Sequence, residues 1–304
     1  MSESLQRRLE AGGFVITAEI TPPLSADPEA LLEKVRPLAG LADAINLTDG
    51  ASARPHLDTL TAAALVLRSG IEPVLQITCR DRNRIALQSL LVGAAAQGIF
   101  NVLALTGDDP SAGDQPETKP VFDLNSNALL ATARAMREQR QLPSGRPIGG
   151  QLDFFLGCAD MPVDPTPDWK PVGLQKKIDA GAQFAQTQFC MDPALLRRYL
   201  QRLEKLGVLA RLRILVGIAP LASARSARWI RDKLPGSIIP EPIIQRLECA
   251  QDARLEGQRI CVELMHELRG IHGVAGVHLM APLNEVSLPV VLRAFRDQAT
   301  LHYA

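Results

Sequence analysis

The chain has 304 residues, 46% hydrophobic and 22% charged, with 33 Lys plus Arg balancing 33 Asp plus Glu. Zero net charge and only 4% aromatic residues leave no compositional case for a nucleic-acid partner or an anionic membrane surface. Five scattered cysteines (Cys79, Cys158, Cys190, Cys249, Cys261) without a CxxC pair match neither a disulfide framework nor a zinc spacing, so no metal is expected. The N-terminal MSESLQRRLEAGG lacks the apolar stretch of a signal peptide. No apolar run nears the roughly 18 residues that span a bilayer, and a cytoplasmic, soluble protein is expected.

Short apolar runs alternate with longer segments of helical period along the whole chain. In order, the sequence predicts a strand at 14–20 and a helix at 28–39, then a strand at 43–48 and a helix at 55–69. The next pairs are 73–79 with 83–97 and 100–106 with 123–140. After these come 152–157 with 170–180 and 184–189 with 193–206. A strand at 212–218 precedes helices at 223–233 and 240–270, and a strand at 275–280 precedes a last helix at 285–298. Strict alternation implies parallel pairing through right-handed crossovers. Eight such units predict an α/β fold, a single (β/α)8 TIM barrel over 1–304, with a doubly wound open sheet as the alternative. No repeat, linker, GxGxxG or Walker A pattern interrupts the order. The 107–121 loop is long for this class and rich in Gly, Pro and Asp, which favours a lid or ligand loop over a passive insertion.

Buried parallel strands should be apolar on both faces. Here one face turns polar toward the C-terminal end: Thr17 and Glu19, Asn46 and Thr48, Gln76 and Thr78, Gln186 and Gln188, and His278. In the fourth strand Thr106 and then Asp108 are read as following Ala104 on one such face. An unpartnered buried polar group costs about 1–3 kcal/mol on mutational scales. Repetition over several strands therefore describes the mouth of a barrel site, against the plainer reading of polar residues satisfying one another in a core.

Glu19 is the sharpest candidate. A partly desolvated carboxyl has a raised pKa and acts as a general acid near neutrality, unless it is simply paired to a structural arginine. Asp108, after Thr106 and Gly107, either caps a loop or accepts from the N–H groups of a heterocycle. Gln188 offers both a donor and an acceptor to a ring edge. The run CRDRNR (79–84) sets Arg80, Arg82 and Arg84 beside a helix N-terminus, as a phosphate site or as solvated arginines around an Asp81 or Asn83 cap.

Together these motifs resemble methylenetetrahydrofolate reductases: AEITPP (18–23), INLTDG (45–50), TCRDRNRIALQS (78–89), NVLALTGD (101–108), KKIDAGAQFAQTQF (176–189), VGIAPL (216–221) and GVHLM (276–280). The resemblance implies a TIM barrel with a flavin across the strand ends, FAD as the first expectation and FMN as the alternative. It also implies NADH or NADPH as donor in ping-pong hydride transfer, and 5,10-methylenetetrahydrofolate as the folate substrate. It makes Glu19 the acid that opens the methylene bridge to an iminium. Asp108 matches the family's pterin anchor, catalytic through its influence on the flavin, and Gln188, with His278, faces the folate. Thr48 and Lys177 match flavin contacts.

The chain departs from the best-known enterobacterial members. They carry histidine at Gln76, arginine at Thr106, and a flavin-contacting tyrosine near Cys158; further contacts fall at Lys170, Gly173 and Ala224. CRDRNR and LTGD look closer to the acetogen-type branch, which adds expected flavin phosphate contacts from Arg80, Arg82 and Arg84. A homo-oligomer is expected, with a larger redox assembly as the variant. The rival readings are a non-redox folate-binding barrel, acting as methyl-transfer partner or assembly subunit, and a flavin-independent reductase.

Overall fold

Each apolar run becomes a parallel strand in a computed structural model of the chain, which describes residues 4–298. The strands are β1 Val15–Ile20, β2 Ala44–Leu47, β3 Pro73–Thr78, β4 Asn101–Leu105, β5 Phe155–Asp160, β6 Phe184–Phe189, β7 Arg213–Ile218 and β8 Val274–Leu279. They close in sequence order, with β1 pairing β8 at Thr17↔His278. That closure decides between barrel and open sheet, and it seats side by side two residues that lie 261 apart in the chain.

The helices are α1 Leu5–Glu10, α2 Pro28–Val35, α3 Thr59–Arg68, α4 Arg84–Ala96, α5 Ser126–Gln139, α6 Val172–Asp179, α7 Pro193–Lys205, α8 Ala224–Lys233, α9 Glu241–Cys249, α10 Ala253–Arg269 and α11 Leu288–Asp297. Side-chain caps start most of them: Asp27, Asp58, Asn83, Asn125, Asp192 and Asp252 each accept a first-turn N–H, and Ser223 forms a capping box with Ser226. Such caps are worth about 1 kcal/mol each. Asp252 also explains why the predicted 240–270 helix is two: Ala250 is extended, and a new helix begins beyond the cap. β5 lies three residues later than expected. Its apolar run is continuous from Leu152 to Cys158 apart from Asp153 and Gly157, so alternation could not fix its ends.

Alternation along the strands makes two cores. Side chains facing the helices, such as Ile45, Leu75, Ala104, Cys158 and Val277, form the large outer layer. Inside, the N-terminal end of the barrel is filled by Val15, Ala44, Val74, Leu103, Phe155, Phe184 and Leu215, closed from below by Leu5 and Leu9 of α1. Phe155 and Phe184 stack at 4.8 Å in this layer. The sequence reading missed α1, whose only signal is the Leu5/Leu9 spacing of one helical turn. Residues 1–3 and 299–304, part of the expected 1–304 unit, lie outside those described. Among the described residues no helix is long and apolar enough to cross a membrane.

Candidate active site

Above the apolar plug, the inward face changes character. Thr17, Asn46, Gln76, Gln186 and His278 are all at most 4% exposed, and all but Gln76, which reaches Glu19, bond to one another. Asn46 and Gln186 exchange two amide hydrogen bonds, at 2.7 and 3.0 Å. Gln186 also donates to the Thr17 hydroxyl at 3.0 Å. The hydroxyl lies 2.9 Å from His278 Nδ1. This layer is a floor of polar donors and acceptors.

Glu19 stands on that floor at the C-terminal end of β1. Its Oε2 accepts from Gln76 Nε2 at 2.7 Å and lies 3.5 Å from His278 Nε2, with a quarter of its side chain open to the mouth. Burial alone would raise its pKa. The hydrogen bond and charge of His278, with the Gln76 bond, together outweigh burial and hold it below the ordinary glutamate value. The expected raised pKa is therefore corrected: with donors aimed at one oxygen, the free barrel favours the carboxylate.

Other predicted residues surround this centre. Thr48 is 5% exposed and its Oγ1 is buried without a hydrogen-bond partner among the described residues. Gln188, half-buried beside a register shift in β6, accepts from Phe189 N at 3.1 Å through Oε1. Its amide nitrogen makes no hydrogen bond among the described residues, so it remains a donor to the mouth. Asp108 is exposed at the rim, and its carboxylate likewise has no hydrogen-bond partner among the described residues. The loop-capping role belongs to its neighbour Asp109, which accepts from Ser111. Lys177 reaches from α6 to donate to the Ala159 carbonyl at 2.5 Å, at the end of β5.

Three expectations change. Ala104 faces the helices, so the inward face of β4 is Leu103 and Leu105. Thr106 stays on the helix side at the rim, 3.3 Å from the Ser126 hydroxyl. Cys158 is fully buried in the outer layer, its thiol pushed up to about 12 by burial, and it has no path to a ligand in the mouth. The three arginines are not open cations. Arg80 is clamped on Asp81 at 2.8 and 2.7 Å, Arg82 grips Asp49 at 2.6 and 3.1 Å, and exposed Arg84 grips Asp123 at 2.8 and 2.7 Å. The cap of α4 is Asn83 rather than Asp81.

Asp49, which the sequence reading passed over, organises this side. Besides Arg82 it accepts from Thr78 N at 2.8 Å and Thr78 Oγ1 at 2.9 Å. Its signal was its place directly after Thr48 at a strand end. The 107–121 loop is docked over the same region. Val121 N donates to the Arg80 carbonyl at 2.7 Å, and Gly107 (φ +99°) leaves the space that the Arg80 stem fills. At Gly113 a side chain would meet the Ala53 carbonyl at 2.1 Å, so a glycine lets the loop lie on the β2–α3 connection.

The family model for methylenetetrahydrofolate reductase matches residues 4–295. A probable methylenetetrahydrofolate reductase (NADPH) of Caenorhabditis elegans is 26% identical over 97% of this chain and 44% of its own length. A 5,10-methylenetetrahydrofolate reductase of Pectobacterium carotovorum is 26% identical over 70% of this chain and 66% of its own. The chain therefore spans less than two thirds of both relatives. A Clostridium thermocellum protein described as binding two copies of 5-methyl-5,6,7,8-tetrahydrofolic acid superposes with a TM-score of 0.69, covering 97% of this chain and 98% of that one at 14% identity. At that identity the superposition supports the barrel fold alone. With a family match from the plug helix to the last helix, around a barrel mouth built on Glu19, this chain belongs to the methylenetetrahydrofolate reductase family.

Proposed function

We propose that the chain is a flavin-dependent methylenetetrahydrofolate reductase, an oxidoreductase reducing 5,10-methylenetetrahydrofolate to 5-methyltetrahydrofolate with NADH or NADPH by ping-pong hydride transfer. One observation carries the reading: Glu19 stands at the barrel mouth with Gln76 and His278 directed at one of its oxygens, and at the same end of the barrel the Thr48 hydroxyl is buried and unpartnered among the described residues. An orphaned buried hydroxyl costs stability unless a ligand completes it, and a flavin ring edge would.

Thr48 and Lys177 are the residues that would hold a flavin, FAD or FMN, and Gln76 borders the same space. When bound, the flavin supplies two-electron hydride chemistry between the nicotinamide and the folate carbon. The chain's own residues do the rest. Asp108 offers an acceptor at the rim for pterin N–H groups, and the free Gln188 amide nitrogen offers a donor. Glu19 gives a proton to the folate nitrogen that leaves as the methylene bridge opens, and the resulting carboxylate is held by Gln76 and His278. General acid help of this kind contributes typically 10²–10⁴-fold.

The test is to denature the purified protein, identify any released flavin by mass, and then follow NADH or NADPH oxidation with methylenetetrahydrofolate. A released flavin and folate-dependent turnover support the reading. A second reading, a non-redox folate-binding barrel, is favoured by one fact: two positions that contact flavin in the resemblance, Thr106 and Cys158, face the helix side of the wall. A colourless protein that binds methyltetrahydrofolate, cannot be reconstituted with FAD or FMN, and oxidises no nicotinamide would establish that alternative.

A further inference from the structure

Glu19 has to be protonated to open the bridge, yet the free barrel surrounds it with donors. The floor beneath it shows how one site serves both states. With Gln186 Nε2 donating to Thr17 Oγ1, the Thr17 hydrogen is free to point elsewhere. It has two acceptors: His278 Nδ1 at 2.9 Å and the Val277 carbonyl at 3.4 Å. If it points to Nδ1, that nitrogen accepts, the imidazole proton sits on Nε2, and Nε2–H faces the Glu19 carboxylate. If it points to Val277, Nδ1 carries the proton and donates to Thr17, and Nε2 is left as an acceptor facing Glu19. The second arrangement suits only a protonated Glu19.

We propose that His278 is a positioning residue for Glu19, exchanging tautomers as Glu19 changes charge, with Thr17 as the hydroxyl that turns between Nδ1 and the Val277 carbonyl. No heavy atom moves. The net change is one proton taken up from solvent: Nδ1 gains a proton, the resulting imidazolium passes its Nε2 proton to Glu19 Oε2, and the Thr17 hydrogen rotates to the Val277 carbonyl. His278 suits the task because its side chain is only 3% exposed, so water does not compete for either nitrogen. The groups facing Glu19 are His278 from β8 and Gln76 from β3, with the neutral Asn46 opposite it in the β1–β2 register. The other charged groups at the ends of these strands are paired: Asp49 with Arg82, and Glu285 with Lys34.

The inference rests on Glu19 being the acid, and its test separates the two. Long-range ¹H–¹⁵N spectra of the full chain labelled at histidine, with His278→Gln used for assignment, report the tautomer directly and need no activity. Nε2–H is expected near pH 8. An Nδ1–H tautomer there overturns the proposal. The pH profile of kcat/KM for the folate reports the free enzyme's acid group. For His278→Leu its limb should move to higher pH, because the carboxylate loses a donor. His278→Gln, which keeps an amide N–H near the Nε2 position, should leave the limb near wild type. An unmoved limb in a folded His278→Leu also overturns the proposal, and if that variant fails to fold, the spectra and His278→Gln still decide. Full folate turnover by Glu19→Gln would instead overturn the reading of Glu19 as the acid, leaving the tautomer result to stand by itself.

Discussion

The two ends of this barrel each hold a desolvated glutamate that accepts from a side-chain amide, with opposite outcomes. At the closed end Glu72 accepts from Leu5 N at 3.1 and 3.0 Å and from Asn101 Nδ2 at 2.7 Å. Burial exceeds those bonds, and Asp43 nearby adds repulsion that Arg8 only partly offsets, so its pKa is raised. At the open end Glu19 is desolvated too, but His278 and Gln76 converge on it and its pKa is lowered. Glu72 is used to cap the plug helix. Glu19 is kept ionised and partly open. The difference teaches that depth in the barrel does not set a carboxylate's role; the balance of donors and like charges around it does.

The largest expected effect separates chemistry from architecture. Glu19→Gln should lower folate turnover by about 10²–10⁴-fold, roughly 3–5 kcal/mol in barrier, while the melting temperature stays close to wild type. Steady-state kinetics beside a thermal melt checks this; near wild-type turnover would remove Glu19 from its role. Leu9→Ala tests the other end. Leu9 is 1% exposed in the plug, and truncating a buried leucine costs about 2–5 kcal/mol. Denaturant unfolding should show that loss, with turnover per folded molecule unchanged.

Between the two ends, the arginine pairs distinguish buried from exposed partners. Arg82→Ala leaves the 7% exposed Asp49 without its guanidinium and should cost about 1–3 kcal/mol, read as a lower unfolding midpoint. Arg84→Ala breaks an exposed pair with Asp123 and should barely move the midpoint. Flavin retention should follow neither strictly if these pairs are structural, which dilution followed by flavin fluorescence would measure. Thr48→Val carries a smaller and two-signed effect. Removing an orphaned hydroxyl should leave the flavin-free protein equally or slightly more stable. Flavin retention should weaken by about three- to tenfold, the range of one hydrogen bond. Equal retention would show that Thr48 does not contact the cofactor.

The smallest effect sharpens the comparison itself. Glu72, with its folded pKa raised, contributes stability that is present below its unfolded value and lost as pH rises through the folded one. Glu19, with its folded pKa lowered, contributes stability present above its unfolded value and lost as pH falls through the folded one. The stability gap between wild type and Glu72→Gln should therefore shrink as pH rises through the acid range. For Glu19→Gln it should grow. Chemical denaturation from about pH 2 to 7, which reaches below the ordinary glutamate value for Glu19 and above it for Glu72, checks both, and parallel slopes would mean the two carboxylates do not differ as described.

By itself the sequence determined the strand–helix alternation, most helix starts, and five of the six inward polar faces, because periodicity and capping are local properties that survive without tertiary context. The placement of Glu19, Thr48 and Gln188 at the barrel mouth was legible for the same reason: polar side chains at the ends of apolar strands. What it could not settle needed closure. Only the pairing of β1 with β8 set His278 against Thr17 and Glu19, turning an expected raised pKa into a lowered one. The inward side of β4 was read one residue out of phase, since a strand's two faces exchange with a single-residue shift. That error carried Thr106 into the mouth, when it lies on the helix side of the rim. Cys158 came from alignment rather than from facing, and burial in the outer layer removed it. The arginines of CRDRNR were visible as charges, but Asp49 and Asp123, which hold Arg82 and Arg84, lie 33 and 39 residues away. Composition shows that a charge exists; which counter-charge it meets is decided by the fold, because ion pairing acts through distance in space and not along the chain.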